Sequence, residues 1–268
     1  MKKYLHVVSI GIQNQLVYRV NYLARVLFGF VPLMATIYLW RAVYASKDGA
    51  ADVAGYSLAA MTSYYVLVTI VDALTAVSED DWLIAADIKD GNISQFLLKP
   101  IDYLTYRFSL FVSGRLIFTG VALVPVAGFV FFLREYFVLP ADLATFGWFA
   151  LSVALAAVLT FLISYSMALL AFWVNEVATF IFIQYAFEYI ASGHLFPLDI
   201  LPPAIRTVLE LTPFPYMLYF PVSVYLGKVT GDALLHGVLI QAVWVAVFYG
   251  VARWVWSRGI KHYSAVGG

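Results

Sequence analysis

Cysteine is absent from the 268 residues, which excludes a disulfide framework and any thiolate-held metal. Charge is scarce as well: Asp, Glu, Lys and Arg make up 12% of the chain, about half of what a soluble domain carries. The formal net charge is zero, so nothing in the balance points to nucleic acid. No nucleophile elbow, HExxH or Gly-rich phosphate loop appears, and without a GxxxxGK[ST] run the chain cannot bind a nucleotide in the Walker manner. There is no internal repeat and no low-complexity tail. The first residues lack the clean apolar stretch and small-residue cleavage site of a signal peptide, because His6, Gln13, Asn14, Gln15 and Arg19 interrupt them. The segment is therefore expected to be retained.

What is present is apolar. Hydrophobic residues reach 63% and the mean hydropathy is +0.86, in blocks long enough to cross hydrocarbon at about 20 residues each. Reading between charges predicts six spans: Val26–Trp40, Val53–Val71, Leu116–Leu133, Leu143–Val174, Val177–Phe196 and Ala233–Ala252. The fourth would be about 48 Å long as a single helix, so it must tilt or run into the interface. With both ends inside, eleven Lys and Arg fall on cytoplasmic segments and five (Arg41, Lys47, Arg134, Arg206, Lys228) on outer ones. That bias places both termini in the cytoplasm.

Three stretches depart from simple crossing. Residues Lys2–Asn21 carry Leu5, Val8, Ile12 and Leu16 at helical spacing with basic residues at both ends. This suits a helix in the headgroup plane, the alternative being an extension of the first span. Six of the ten prolines crowd Pro197–Pro221, too many for one straight helix. Yet Leu201, Ile205, Val208, Leu209 and Leu211 keep helical offsets, so one or two short helices dipping into the outer leaflet are expected. The third stretch, the polar loop 78–107, reads as two short helices. Asp80 or Asp81 would cap the first and Gly91 stop it. Asn92 would cap the second, with Gln95 completing a capping box and Pro100 ending it. Ile93, Phe96 and Leu97 share a face there that wants either a protein groove or the chain's own bundle.

Two sets of polar residues are candidates for chemistry. Glu79, Asp80, Asp81, Asp87 and Asp90 resemble half of the metal site of a membrane prenyltransferase. Such a site needs two facing clusters to hold magnesium and a diphosphate, and only one exists, so solvated acids and helix caps are the reading adopted. Glu188 lies about twelve residues into the fifth span, with Gln184 one turn earlier on the same face. A charge at that depth costs roughly 2.5–3.5 kcal/mol unless paired or hydrated. It marks either a translocation path or gate, or a polar contact between helices. Asp72 is expected at the inner interface facing water, and His194 near the outer interface as a packed polar contact.

The run Ile88-Lys89-Asp90-Gly91-Asn92-Ile93 through Leu97-Leu98-Lys99-Pro100-Ile101-Asp102 resembles the "I-x-x-G-x-[IL]…L-L-x-[KR]-P" signature of ABC-2 type permeases, most of all small exporter permeases found as paired subunits. "FPLDILPPAIRTVLELTPFPYMLYFPVSVYLGK" resembles the same subgroup's outer segment. The resemblance implies one permease domain over 1–268: six transmembrane helices, an interfacial N-terminal helix at 1–21, a cytoplasmic coupling helix within 78–107 and re-entrant outer helices at 197–221, all α. Gly91, Asn92, Ile93, Phe96, Leu97, Lys99 and Pro100 would form the ATPase-coupling element. Pro197, Pro202, Pro203, Pro213 and Pro215 would shape the outer closure. The partners implied are an ABC ATPase dimer, a second copy or related permease, and membrane lipid. ATP and magnesium would be bound by the ATPase, and no cofactor by this chain. The expected activity is ATP-driven export of a lipophilic or amphipathic substrate across the cytoplasmic membrane. The rival classes are a membrane transferase using the acidic loop and an ATP-independent carrier or channel using Glu188.

Overall fold

The computed structural model describes residues 2–46, 52–53, 55–77 and 80–263, so Lys47, Ser78 and Glu79 lie outside it. The described residues fold as an all-helical protein. In order the helices are α1 (Lys2–Val17), α2 (Arg19–Ser46), α3 (Leu58–Thr75), α4 (Asp80–Lys89), α5 (Ile93–Leu97) and α6 (Tyr103–Phe132). These are followed by α7 (Leu143–Ala168), α8 (Val177–Ala191), α9 (Pro203–Glu210), α10 (Tyr219–Tyr225) and α11 (Gly231–His262). Short 3₁₀ turns at Leu169–Phe172, Leu198–Ile200 and Phe214–Tyr216 join the later helices.

Among the described residues, five helices are long and apolar enough to cross a membrane: α2, α3, α6, α7 with its 3₁₀ turn, and α11. Much of their outward surface is bare hydrocarbon, including Phe28, Val31, Leu123, Phe132 and Leu239. A soluble monomer does not expose apolar area on this scale. Carboxylate and hydroxyl caps set several starts, because the first N–H groups of a helix need acceptors. Ser57 takes the Ala60 amide, Asp102 the Thr105 amide at 3.0 Å and Asp142 the Thr145 amide at 2.7 Å.

Span boundaries read from charge were too short where charges are paired. α6 begins at Tyr103, not Leu116, because Asp87 neutralises Arg107 inside the helix and Arg115 donates to the Ala73 carbonyl. α3 begins at Leu58 rather than Val53. The long uncharged run from Leu143 is not one helix either: it breaks after Ala168 into the 3₁₀ turn. α8 has 15 residues, about 22 Å, less than the roughly 30 Å hydrocarbon core.

α1 is a separate helix, broken from α2 at Tyr18. It lies against the first turns of α6, where the Ser113 hydroxyl reaches the Val8 carbonyl at 3.2 Å and the Tyr4 hydroxyl takes the Asp102 amide at 2.9 Å.

Two large cores divide the bundle. One, around Leu67, Leu159, Ile163 and Val222, joins α2, α3, α7 and α10. The other, around Ile84, Ile93, Phe161 and Leu169, ties α4 and α5 to α6, α7 and α11. All seven residues of α10 are buried, whereas α9 buries none. Gln241 of α11 pins this region, donating to the carbonyls of Ser152 and Tyr216 at 2.8 and 2.9 Å while accepting from the Ser152 hydroxyl.

Candidate functional site

α8 stops at Ala191, and Gly193 turns the chain back against α3. Gly193 has φ +95°, and a Cβ there would sit 2.7 Å from the Tyr64 hydroxyl. Only glycine fits both constraints. The Tyr64 hydroxyl donates to the Gly193 carbonyl at 2.6 Å and Tyr65 to Leu195 at 3.0 Å, which locks the return.

The turn brings His194 to Asp72, with 3.1 Å between Nε2 and Oδ1, while its Nδ1 lies 2.8 Å from the Ser192 hydroxyl. Asp72 is exposed, as expected, but the expected separation of the two residues toward opposite sides of the membrane is corrected by their contact. A fifth helix that ends early returns the chain to the depth of Asp72.

These groups line a cavity of about 160 Å³. α3 contributes Asp72 and Thr75, α7 Thr160, and α8 Tyr185, Glu188 and Tyr189. Gln184, itself buried, donates its amide to the Glu188 carboxylate, as their spacing of one turn suggested. The Tyr189 ring stacks on His194 at 5.1 Å. A larger cavity of about 320 Å³ shares Asp72, Tyr189 and His194 with this chamber and runs along Pro32, Leu33 and Val68. Polar and apolar side chains are mixed on the walls of both spaces.

The chamber is wired to the 78–107 loop. Asp81 is buried, its Oδ1 takes the Trp82 amide and its Oδ2 takes the Tyr185 hydroxyl. Burial pushes its carboxyl above the usual range against those two bonds. Asp87 likewise pairs with Arg107 and accepts from Tyr103 at 2.7 Å. Neither acid is the solvated loop residue that the sequence suggested: both are used inside the protein. Asp81 lies within the first turn of α4 and does not cap it.

The second short helix also differs from expectation. Gly91 has φ +77°, the left-handed stop foreseen. Asn92, however, is itself in the right-handed helical region and its side chain caps nothing; the Ser94 hydroxyl takes up the turn by donating to the Gly91 carbonyl. Ile93 is wholly buried in the chain's own core, and Phe96 packs edge-on to Tyr103 at 5.0 Å. The shared apolar face of Ile93, Phe96 and Leu97 therefore does not stand free. The outward apolar residues are Leu97 and Leu98, 49% and 89% exposed, beside exposed Lys99 and Pro100. The Tyr263 hydroxyl clamps the loop from α11 by donating to the Gly91 carbonyl at 3.0 Å.

At the other end, Pro197 leads into the Leu198–Ile200 turn, Pro202 and Pro203 open α9, and Pro213 and Pro215 flank the turn before α10. The sequence reading missed the hub of this segment. Asp199 accepts from Tyr56 at 2.8 Å, Tyr219 at 2.6 Å and Arg206 at 2.7 Å, with Lys228 at 3.5 Å. Burial opposes its charge, but the two hydroxyls and two cations outweigh burial and hold the carboxyl below its ordinary value. An acid among prolines, followed by an arginine seven residues on, was the available signal.

A family model described as ABC-2 family transporter protein matches residues 30–267. The chain belongs to that family. Membership makes it a transmembrane subunit of an ABC transporter. No curated protein matches the chain in sequence.

Proposed function

We propose that this permease is the membrane half of an ATP-driven exporter whose path runs through the chamber lined by Asp72, Glu188 and His194. A separate ATPase dimer docks on the α4–α5 loop, and a second copy or related permease completes the path. In this reading α8 is a short fifth crossing and both termini are cytoplasmic. α1 is the interfacial helix, and the segment from Pro197 to Pro221 is the re-entrant outer closure. The substrate is lipophilic or amphipathic.

The observation that carries the proposal is the bond between Tyr185 and Asp81. It joins a chamber wall to the loop where energy would enter, so displacement of α4 is transmitted to the chamber directly. A buried Asp–Tyr bond spanning 104 residues of sequence has no packing purpose that a leucine pair would not serve better. Against the transferase alternative, two of its five acids, Asp81 and Asp87, are engaged in bonds within the protein.

Glu188→Gln tests the path. The variant is expected to assemble with the ATPase and to lose substrate-stimulated ATP hydrolysis in lipid, because the amide keeps the shape and removes the charge. An assembled variant that transports like the parent would refute the proposal. Transport by the permease alone, with no ATPase present, would favour the carrier instead.

A further inference from the structure

We infer that a cleft between α2, α3 and α6 binds one anionic phospholipid of the adjacent leaflet, with its phosphate on Arg25 and Arg115 and an acyl chain along the wall beyond them. The cleft holds about 310 Å³. It is distinct from the chamber, although Asp72 lines both, and the inference stands whether or not the chamber is the path. Its first support is the level and sign of its charges. Arg25 stands directly before the uncharged run Val26–Trp40, and Arg115 directly before Leu116–Leu133. Both guanidiniums therefore lie at the edge of the hydrocarbon, where lipid phosphates lie. Arg115 donates to the Ala73 carbonyl at 3.2 Å, which answers one of the last carbonyls of α3 and holds the guanidinium at the cleft. Arg25 is exposed and forms no ion pair among the described residues. Asp72 is the carboxylate of the lining, and its Oδ1 already meets His194 at 3.1 Å. Two positive charges thus share the cleft with one negative charge. A single phosphodiester, which arginine grips in a forked pair of hydrogen bonds, completes the balance.

The second support is depth, and it is independent of charge. Beyond the arginines the wall continues along Val26 and Phe30 of α2 and Phe118, Ala122 and Val126 of α6. Thr69, the other polar side chain of the lining, turns its hydroxyl away to the Tyr65 carbonyl at 3.0 Å. From Arg115 to Val126 the helix rises about 16 Å. That is half of the roughly 30 Å hydrocarbon core, the depth of one leaflet. One turn past Val126, Phe129 stacks on Phe30 at 4.4 Å, at the deep end. The third support is Gly29. It lies within α2, one turn beyond Arg25, where glycine is disfavoured. A Cβ built on it would meet nothing within 4 Å. The missing side chain therefore leaves open space on the cleft, level with the start of an acyl chain.

The experiment is native mass spectrometry of the purified full-length permease in detergent, with phosphatidylglycerol and phosphatidylcholine of identical acyl chains as probes. One phosphatidylglycerol should be retained about tenfold more tightly than phosphatidylcholine, the factor expected for one charge-assisted hydrogen bond. Inorganic phosphate at the same concentration should not displace it. Arg25→Gln should lose most of that preference and Arg25→Lys should keep part of it. Arg134→Gln, which removes an exposed arginine just past the far end of α6, should leave it unchanged. Gly29→Leu keeps both arginines and fills the open space, so it should abolish the saturable lipid while the thermal midpoint of the lipid-free permease holds. Equal retention of the two lipids, a preference that Arg25→Gln leaves intact or that Arg134→Gln lowers as much, or displacement by inorganic phosphate overturns the anionic phospholipid. Retention by Gly29→Leu at the parent affinity overturns the cleft as its place.

Discussion

Replacing Leu97 and Leu98 together by alanine is expected to release the ATPase while leaving the membrane bundle folded. The magnitude follows from exposure. Full burial of a leucine is worth about 2 kcal/mol. Leu97 is 49% exposed and Leu98 89%, so covering what remains of both contributes about 3 kcal/mol, or about a hundredfold in Kd. Within the isolated permease the same truncation removes little buried area, and surface changes of this kind usually stay within about 0.5 kcal/mol. Ile93 is the contrast. It is wholly buried in the core shared with Tyr103 and Phe161, so Ile93→Ala costs about 2–5 kcal/mol of permease stability and reaches the ATPase only by loosening the loop. The assay is titration of the ATPase onto nanodisc-held permease, beside the thermal midpoint of the permease alone. If Leu97→Ala with Leu98→Ala leaves the affinity at the parent level, docking does not use this surface, and the face turned outward from α5 needs another explanation.

Tyr185→Phe keeps the ring and removes the bond to Asp81; basal hydrolysis by the assembled complex should persist while its stimulation by substrate is lost, and retained stimulation would sever the proposed link. Asp199→Asn strands two tyrosines and two cations and should cost about 2 kcal/mol in the permease's thermal stability. Because the folded carboxyl lies below its unfolded value, its stabilisation is complete above about pH 4 and disappears as pH falls through the folded value. The Asn variant should lack that acid limb, and parallel parent and variant curves would contradict the assignment. Single cysteines at Ser46 and Gln95 in this cysteine-free chain should differ in labelling by an impermeant thiol reagent on intact cells, Ser46→Cys reacting and Gln95→Cys not; the opposite pattern inverts the orientation.

Local features were legible in the sequence because their causes are local. Apolar run length gave the long helices, Gly91 gave the turn between α4 and α5, and the one-turn spacing of Gln184 and Glu188 put both on one face. What failed was partnership across the chain. Asp81 meets Tyr185 across 104 residues, Asp72 meets His194 across 122 and Tyr56 meets Asp199 across 143. No periodicity encodes such pairs. Charges read as boundaries also misled, since Arg107 sits inside α6 once Asp87 pairs with it. The face of α5 was left open between a protein groove and the chain's own bundle: amphipathicity says that a face is covered, not by what.

The short length of α8 joins these observations. Its buried residues, Val177, Ile181, Gln184 and Ala191, form a narrow stripe, and the small core at its foot is built on Ala85, Val177 and Ile181. Its other faces carry Phe182, Ile183, Phe187 and Ile190, all exposed. α3, by contrast, buries ten of its eighteen residues. Elements with few buried contacts are those that shift at least free-energy cost. Val177 and Ile181 pack the foot of the helix, and polar bonds hold it farther along: Tyr185 to Asp81 at its middle, and the Ser192 carbonyl to the Tyr219 amide at 3.0 Å just past its end. Tyr219 in turn bonds Asp199, the hub of the outer segment. Of the helices that α4 touches, α8 is the weakly packed one, and it carries Glu188 on the chamber wall and leads at its far end into the proline-rich segment. Access from inside and closure outside would then change together, as alternating access requires of a single moving part.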